Sequence, residues 1–173
     1  MKHSGIDFRY TMTFSQCVHG MYDKKILCDD YKSILEATQF LFQSGAQNVL
    51  YLYNSQSYSG LKKLSGYQSA VLQSGHDFRP EYIRLYQGER EDIEAITDFL
   101  VQLNADGLDF AVIGYNNSLL TSCCEPPLTS VDSKLNTLCA QLAKTQMGVL
   151  TGTDMPQKII FSGELIKRGT TRS

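Results

Sequence analysis

Two adjacent carboxamides carry the most specific chemistry in this sequence. Asn116 and Asn117 close the stretch Val112-Ile113-Gly114-Tyr115-Asn116-Asn117, an apolar run ending in an aromatic ring and two amides. A carboxamide both donates and accepts, so such a pair suits the hydroxyls of a sugar or a similar neutral polar ligand. The same residues are good turn formers, and spacing alone leaves both roles open. Catalytic chemistry finds less support. His3, His19 and His76 are far apart, and none pairs with a cysteine at metal-ligand spacing. Cys123 and Cys124 are adjacent rather than in a C-x-x-C arrangement, and read as small packing residues. Acidic residues gather at Asp29-Asp30 and at Glu89–Asp92; the second group suits a helix N-terminus. Gly60 and Gly66 lack the spacing of a dinucleotide fingerprint or a P-loop. No nucleophile, base and orienting group come together. We therefore expect no catalytic residue, no metal site and no cofactor.

The elements that must position these residues are legible from residue 26 onward. Ile26-Leu27-Cys28 is a short apolar run, and Asp29 or Asp30 can cap the helix that follows. Residues 31–44 carry Ile34, Leu35, Thr38, Leu41 and Phe42 at helical spacing, and Gly45 is placed to end that helix. Asn48–Tyr53 is a dense β-type run, as expected of a strand buried on both faces. A second helix is predicted over 61–75, a strand over 82–86, a third helix over 89–103 and a strand over 110–114. Residues 115–127 read as a loop, 133–150 as a long amphipathic helix, and 158–161 as a final strand. Strands alternating with helices of this length indicate parallel βαβ units. In such folds ligands bind at the carboxyl ends of the strands, here the loops after Tyr53, after Ile113 and after Cys28. Residues 1–25 show no sustained period beyond one short strand around Phe8–Phe14.

Composition fits a globular domain. Of the 173 residues, 42% are hydrophobic and 20% charged, enough for a core without disulfides or metal. The net charge of -2 offers no basic stripe for nucleic acid. The basic tail, Lys167-Arg168 to Arg172, reads as a solvated chain end. Five irregularly spaced cysteines argue against a disulfide framework. No apolar run approaches the roughly 20 residues of a membrane span, and no signal-peptide pattern follows Met1. A reduced, cytoplasmic protein without membrane association is the expectation.

Three motifs then carry a resemblance. Val112-Ile113-Gly114-Tyr115-Asn116-Asn117 is similar to the "V-V-G-Y/F-D/N-D/N" strand of LacI/GalR transcriptional regulators. Pro126-Pro127-Leu128-Thr129-Ser130-Val131 resembles their "P-P-L-T-T/S-V" loop, and Leu165-Ile166-Lys167-Arg168-Gly169-Thr170-Thr171 their closing "L-I-x-R-x-S/T-T". Upstream, Asp29–Tyr53 and Gly60–Tyr67 resemble the family's "D-N/D" helix and its "R-x-x-G-F/Y" helix start. The likeness covers about residues 26–173. It implies an α/β fold, a parallel βαβ sheet flanked by helices of the type I periplasmic-binding-protein kind, in reduced form. It implies a poorly defined segment 1–25, a remnant of an N-terminal lobe, and an effector-binding and dimerisation core over 26–173. It also implies a site for a small sugar-like effector. Asn116 falls where the family bonds ligand hydroxyls, and Lys63 where the family has an arginine, so a bidentate contact is lost. Asn117, Tyr115, Asn54 and Ser133 complete the expected ligand-binding set.

The sequence departs from the family pattern in three respects. No helix-turn-helix headpiece precedes the core, so DNA binding is expected only through a headpiece absent from this chain. Most of the N-terminal lobe is unrecognisable in residues 1–25. A whole βα unit, with its ligand-binding Asn-Asp, has no counterpart near Phe110-Ala111. The expected role is the effector-sensing core of a homodimeric regulator. A stand-alone solute-binding protein shares the fold, but the Arg168–Thr171 tail counts against it. A degenerate paralogue acting through protein partners is a live alternative, given Lys63 and the lost unit. An enzyme is disfavoured because no catalytic constellation is present.

Overall fold

The computed structural model describes residues 25–53, 58–85, 89–105, 111–123 and 125–171. The strand expected at Phe8–Phe14, the N-terminal segment, Asn54, Cys124, Arg172 and the junction at Phe110 lie outside the described residues.

Strand β1 (Lys25–Asp29) leads into helix α1 (Asp30–Gln43). Asp29 is the cap: its carboxylate accepts from Lys32 N at 3.0 Å, satisfying an amide that the first helical turn leaves free. The helix ends at Gly45, whose φ of +95° lets the chain turn back so that Ala46 N donates to Leu41 O at 3.1 Å. Strand β2 (Tyr51–Tyr53) and helix α2 (Tyr58–Gln73) follow, then a 3₁₀ turn at Pro80–Tyr82 and strand β3 (Ile83–Leu85). Helix α3 (Arg90–Ala105), strand β4 (Ile113–Tyr115), short helix α4 (Leu119–Cys123), strand β5 (Thr129–Asp132) and helix α5 (Leu135–Leu150) come next. The chain closes on β6 (Lys158–Ser162) and β7 (Glu164–Ile166).

Among the described residues, four ladders in three small sheets hold the strands. β1 pairs parallel with β6, β2 parallel with β3, and β4 parallel with β5, on whose other side β7 lies antiparallel. The periplasmic-binding-protein-like fold of parallel strands and helices is therefore present. Several local expectations are corrected. The strand expected over Phe110–Gly114 is described as Ile113–Tyr115, and its ladder among the described residues is with β5. The loop expected over 115–127 contains α4, and Thr129–Asp132 is a strand. β7 brings an antiparallel pair into a sheet read as parallel. β2 is not buried on both faces, because Leu52 is 39% exposed.

Helices α1 and α2 pack face to face over the core. Leu41, Val49, Tyr67 and Val71 form its buried centre, with Ile34, Leu64, Ile83 and Ile113 against it. Burying each such side chain contributes about 1.5–3 kcal/mol. Gly66 sets how closely the helices approach, since a Cβ there would collide with the Tyr31 carbonyl oxygen of α1. Tyr67 stacks on Tyr51 at 4.9 Å, and its hydroxyl donates to Val49 O at 2.8 Å, so its one polar atom is satisfied inside the core.

Candidate functional site

The carboxyl end of β1 and the carboxyl end of β4 meet at one polar cluster. Asp30, the first residue of α1, is its hub. Asp30 Oδ1 accepts from the Tyr115 hydroxyl at 2.7 Å, and Asp30 Oδ2 accepts from Ser59 Oγ at 2.6 Å. Lys63 Nζ lies 3.7 Å from Asp30 Oδ1 and 3.7 Å above the Tyr115 ring centroid. Four elements thus contribute: β1 ends at the cap, α1 supplies the carboxylate, α2 supplies Ser59 and Lys63, and β4 supplies Tyr115. The side chains of Lys63 and Asp30 are only 23% and 11% exposed, so their attraction is less screened than that of a surface pair.

The neutral members of the cluster are held neutral. Burial, and then the hydrogen bond to Asp30, push the Tyr115 phenol far above its ordinary range. Burial also raises the Cys28 thiol, whose sulfur lies 3.8 Å from Tyr115 Oη; the Tyr115 hydrogen bond and Lys63 oppose that rise. Cys28 is accordingly a poor nucleophile.

The turn beyond β4 divides its two amides. Asn116 (φ 77°) and Asn117 (φ 43°) both take the left-handed conformation that asparagine tolerates better than most residues. Asn117 faces inward. Its Oδ1 accepts from the Arg168 guanidinium at 2.7 Å, its Nδ2 donates to Asp132 at 3.3 Å, and its backbone N–H donates to Ser130 Oγ at 3.0 Å. Asn116 is exposed; Ser133 Oγ donates to its Oδ1 at 3.3 Å, and no hydrogen bond engages its Nδ2 among the described residues. Ser133 is buried, but it does not open the long helix: Lys134 takes φ 54° and α5 begins at Leu135.

The structure brings Lys63 to Tyr115 and Asn116 to Ser133, and it ties Asn117 into the scaffold. Asp30, Ser59, Asp132 and Arg168 were not among the expected site residues. The signal for Asp30 was the doubled acid Asp29-Asp30, of which capping needs only one. Arg168 corrects the reading of the tail as a solvated end: it is half-buried, and besides Asn117 it donates to Leu128 O at 2.9 Å. Cys123 is likewise corrected, being exposed rather than packed. No three metal-ligating side chains cluster among the described residues.

This arrangement defines a class: an open α/β core with polar residues gathered where parallel strands end. The periplasmic binding protein-like domain matches residues 94–171. An HTH-type transcriptional regulator of Lachnoclostridium phytofermentans is 37% identical over 171 residues, taking in 84% of this chain and 51% of that regulator. The regulator CelR of Thermobifida fusca is 25% identical, across 77% of this chain and 47% of its own length. Among solved structures, a LacI-family regulatory protein from Chloroflexus aggregans has a TM-score of 0.80 at 18% identity, covering 93% of this chain and 68% of that one. The chain is thus similar to the periplasmic-binding-protein-like portion of LacI/GalR-type regulators. It spans about half the length of the curated relatives it matches. Since 84% of 173 residues is about 145, some 26 of the 171 aligned positions in the L. phytofermentans regulator have no counterpart here.

Proposed function

We propose that this chain is the ligand-sensing and dimerisation core of a LacI/GalR-type transcriptional regulator that responds to a small, polar, sugar-like metabolite. The observation that carries the reading is the convergence of Asp30, Lys63 and Tyr115 at the carboxyl ends of β1 and β4, with Asn116 next along the chain after Tyr115, where open α/β sheets take their ligands. A neutral polyhydroxylated ligand suits the donors and acceptors found there. A structural neighbour of TM-score 0.68, at 23% identity and covering 84% of this chain and 53% of that one, is a CelR–cellobiose complex. Pairing of two copies would use apolar surface such as Leu119 and Leu120, which are 80% and 74% exposed. DNA would be reached through a headpiece outside this chain, in the cytoplasm. Among the described residues no helix is long and apolar enough to cross a membrane.

Thermal melts with a panel of neutral mono- and disaccharides test the reading. A ligand at 100 times its Kd stabilises the native state by about 2.7 kcal/mol, roughly 5–10 °C for a chain of this size. One panel member is expected to give that shift, and Asn116→Ala to abolish it; the ligand-free melt of that variant should fall by about 2–4 °C, because alanine tolerates the left-handed turn less well than asparagine. A second reading, a degenerate paralogue acting through protein partners, is favoured by one feature: Lys63 is already engaged by Asp30 and Tyr115. A panel that shifts nothing would support it.

A further inference from the structure

The carboxylate of Asp30 is fixed by three neighbours on two other elements. Ser59 Oγ donates to one oxygen at 2.6 Å, the Tyr115 hydroxyl to the other at 2.7 Å, and the Lys63 ammonium lies 3.7 Å away. Its position in the first turn of α1 adds the favourable field of a helix N-terminus. A ligand cannot swing Asp30 aside without breaking all three contacts. Lys63 is equally committed, with its ammonium between the carboxylate and the Tyr115 ring. The one cation of the cluster among the described residues is therefore cancelled by an anion at contact distance.

We infer that Asp30 is a specificity-determining residue, which makes this site select neutral saccharides and reject their carboxylate or phosphate counterparts. The inference rests on the sugar-sensor reading and adds to it the charge class of the ligand. An acidic sugar brought up to Lys63 would meet Asp30 within a few ångströms, and would surrender its hydration for no net attraction. A neutral hydroxyl can donate towards Asp30 or accept from Lys63 or the Asn116 amide, and brings no charge to be desolvated. An arginine at position 63 would offer five donors and could serve Asp30 and a ligand together; lysine is a point charge that Asp30 holds.

The test uses the whole chain and matched ligand pairs: glucose with glucuronate, galactose with galacturonate, and cellobiose with cellobionate. Isothermal titration gives the ratio of affinities within each pair. In the unaltered protein a neutral member is expected to bind on the order of tenfold or more tighter than its carboxylate partner. Asp30→Asn keeps the shape of the side chain and frees the Lys63 charge, so the ratio is expected to move at least tenfold towards the carboxylate. Lys63→Met leaves Asp30 unpaired, and the ratio is expected to widen in favour of the neutral sugar; this variant decides the matter if Asp30→Asn does not fold. A carboxylate that binds the unaltered protein as well as its neutral partner overturns the assignment. So does a ratio unchanged by both substitutions while binding persists. Absence of binding by every member to every folded variant overturns the sugar-sensor reading as well.

Discussion

Alanine at position 66 sets two effects of opposite sign against each other. Gly66 lies within α2, where replacing glycine by alanine ordinarily stabilises a helix by about 1 kcal/mol. Against this, the new Cβ would strike the Tyr31 carbonyl oxygen and approach Leu35 N to 3.2 Å. Both are backbone atoms of α1, so neither can rotate away. Restoring an ordinary separation of about 3.5 Å requires the two helices to part by roughly 1 Å. That movement loosens the packing of Leu41, Val49, Tyr67 and Val71, and strains the 2.8 Å bond from Tyr67 to Val49 O. Overpacking of this kind costs about 1–3 kcal/mol, and a rigid backbone contact belongs at the upper end. The net expectation is a loss of about 2 kcal/mol, or some 4–8 °C in Tm for a chain of this length.

Urea unfolding followed by circular dichroism measures the difference directly, with an unchanged slope confirming that stability alone has moved. Ser65→Ala is the control. Ser65 is the exposed neighbour on the same helix, and its replacement should stabilise by a few tenths of a kcal/mol, roughly what helix propensity predicts. A Gly66→Ala protein more stable than its parent would refute the close approach of α1 and α2.

Arg168→Ala removes two charged donors from Asn117 Oδ1 and Leu128 O, and should cost about 2 kcal/mol in urea unfolding; an unchanged midpoint would return the tail to solvent. Tyr67→Phe leaves the Val49 carbonyl unpaired and should cost about 1–2 kcal/mol. The same substitution should alter the alkaline limb of stability. Burial pushes the Tyr67 phenol up from 10.0 to about 12, so between these values the native state holds a proton that the unfolded chain has released. Stability is therefore full below pH 10 and should fall as pH rises through that window, by up to about 1.4 kcal/mol per pH unit. Loss of part of that slope in Tyr67→Phe, read from melts between pH 9.5 and 11.5, checks the sign; a slope equal in both proteins contradicts it.

The helices were legible because their apolar faces repeat at the helical period. The predicted spans over 31–44, 61–75, 89–103 and 133–150 lie within three residues of α1, α2, α3 and α5 at every end. β5 was not legible, for a physical reason. Thr129 and Ser130 are fully buried, yet both side chains are hydroxyls. Thr129 Oγ1 meets Thr171 Oγ1 at 2.8 Å and accepts from Arg168 N at 2.8 Å, while Ser130 Oγ accepts from Asn117 N. A strand whose interior is built from satisfied polar groups leaves no hydrophobic period to read. Two of its partners, Arg168 and Thr171, lie some 40 residues away along the chain, beyond any local window. Asp30 was obscured differently: its neighbour Asp29 accounts for the acidic pair by capping the helix.

The two roles open to the Asn116-Asn117 pair need not compete: the structure commits Asn117 to the turn, and the proposed reading gives Asn116 to the ligand. Asn117 builds the turn, and it does so with partners from the far end of the chain. Arg168 holds its oxygen, Asp132 its amide, and Thr170 stitches the same tail to the start of β4 by donating to Val112 O at 2.7 Å. The two left-handed residues at 116 and 117, and a third at Lys134 whose N–H donates to Asp132 at 2.7 Å, lie around this brace. Each such residue costs a non-glycine about 1 kcal/mol or more unless its surroundings fix it. The motifs that end β4, form β5 and close the chain are thus one structural unit. On the proposed reading that unit presents the free amide of Asn116 to a ligand. It follows that tail contacts and ligand affinity are coupled: Arg168→Ala should weaken saccharide binding without touching the ligand, and a saturating saccharide should recover part of its lost stability.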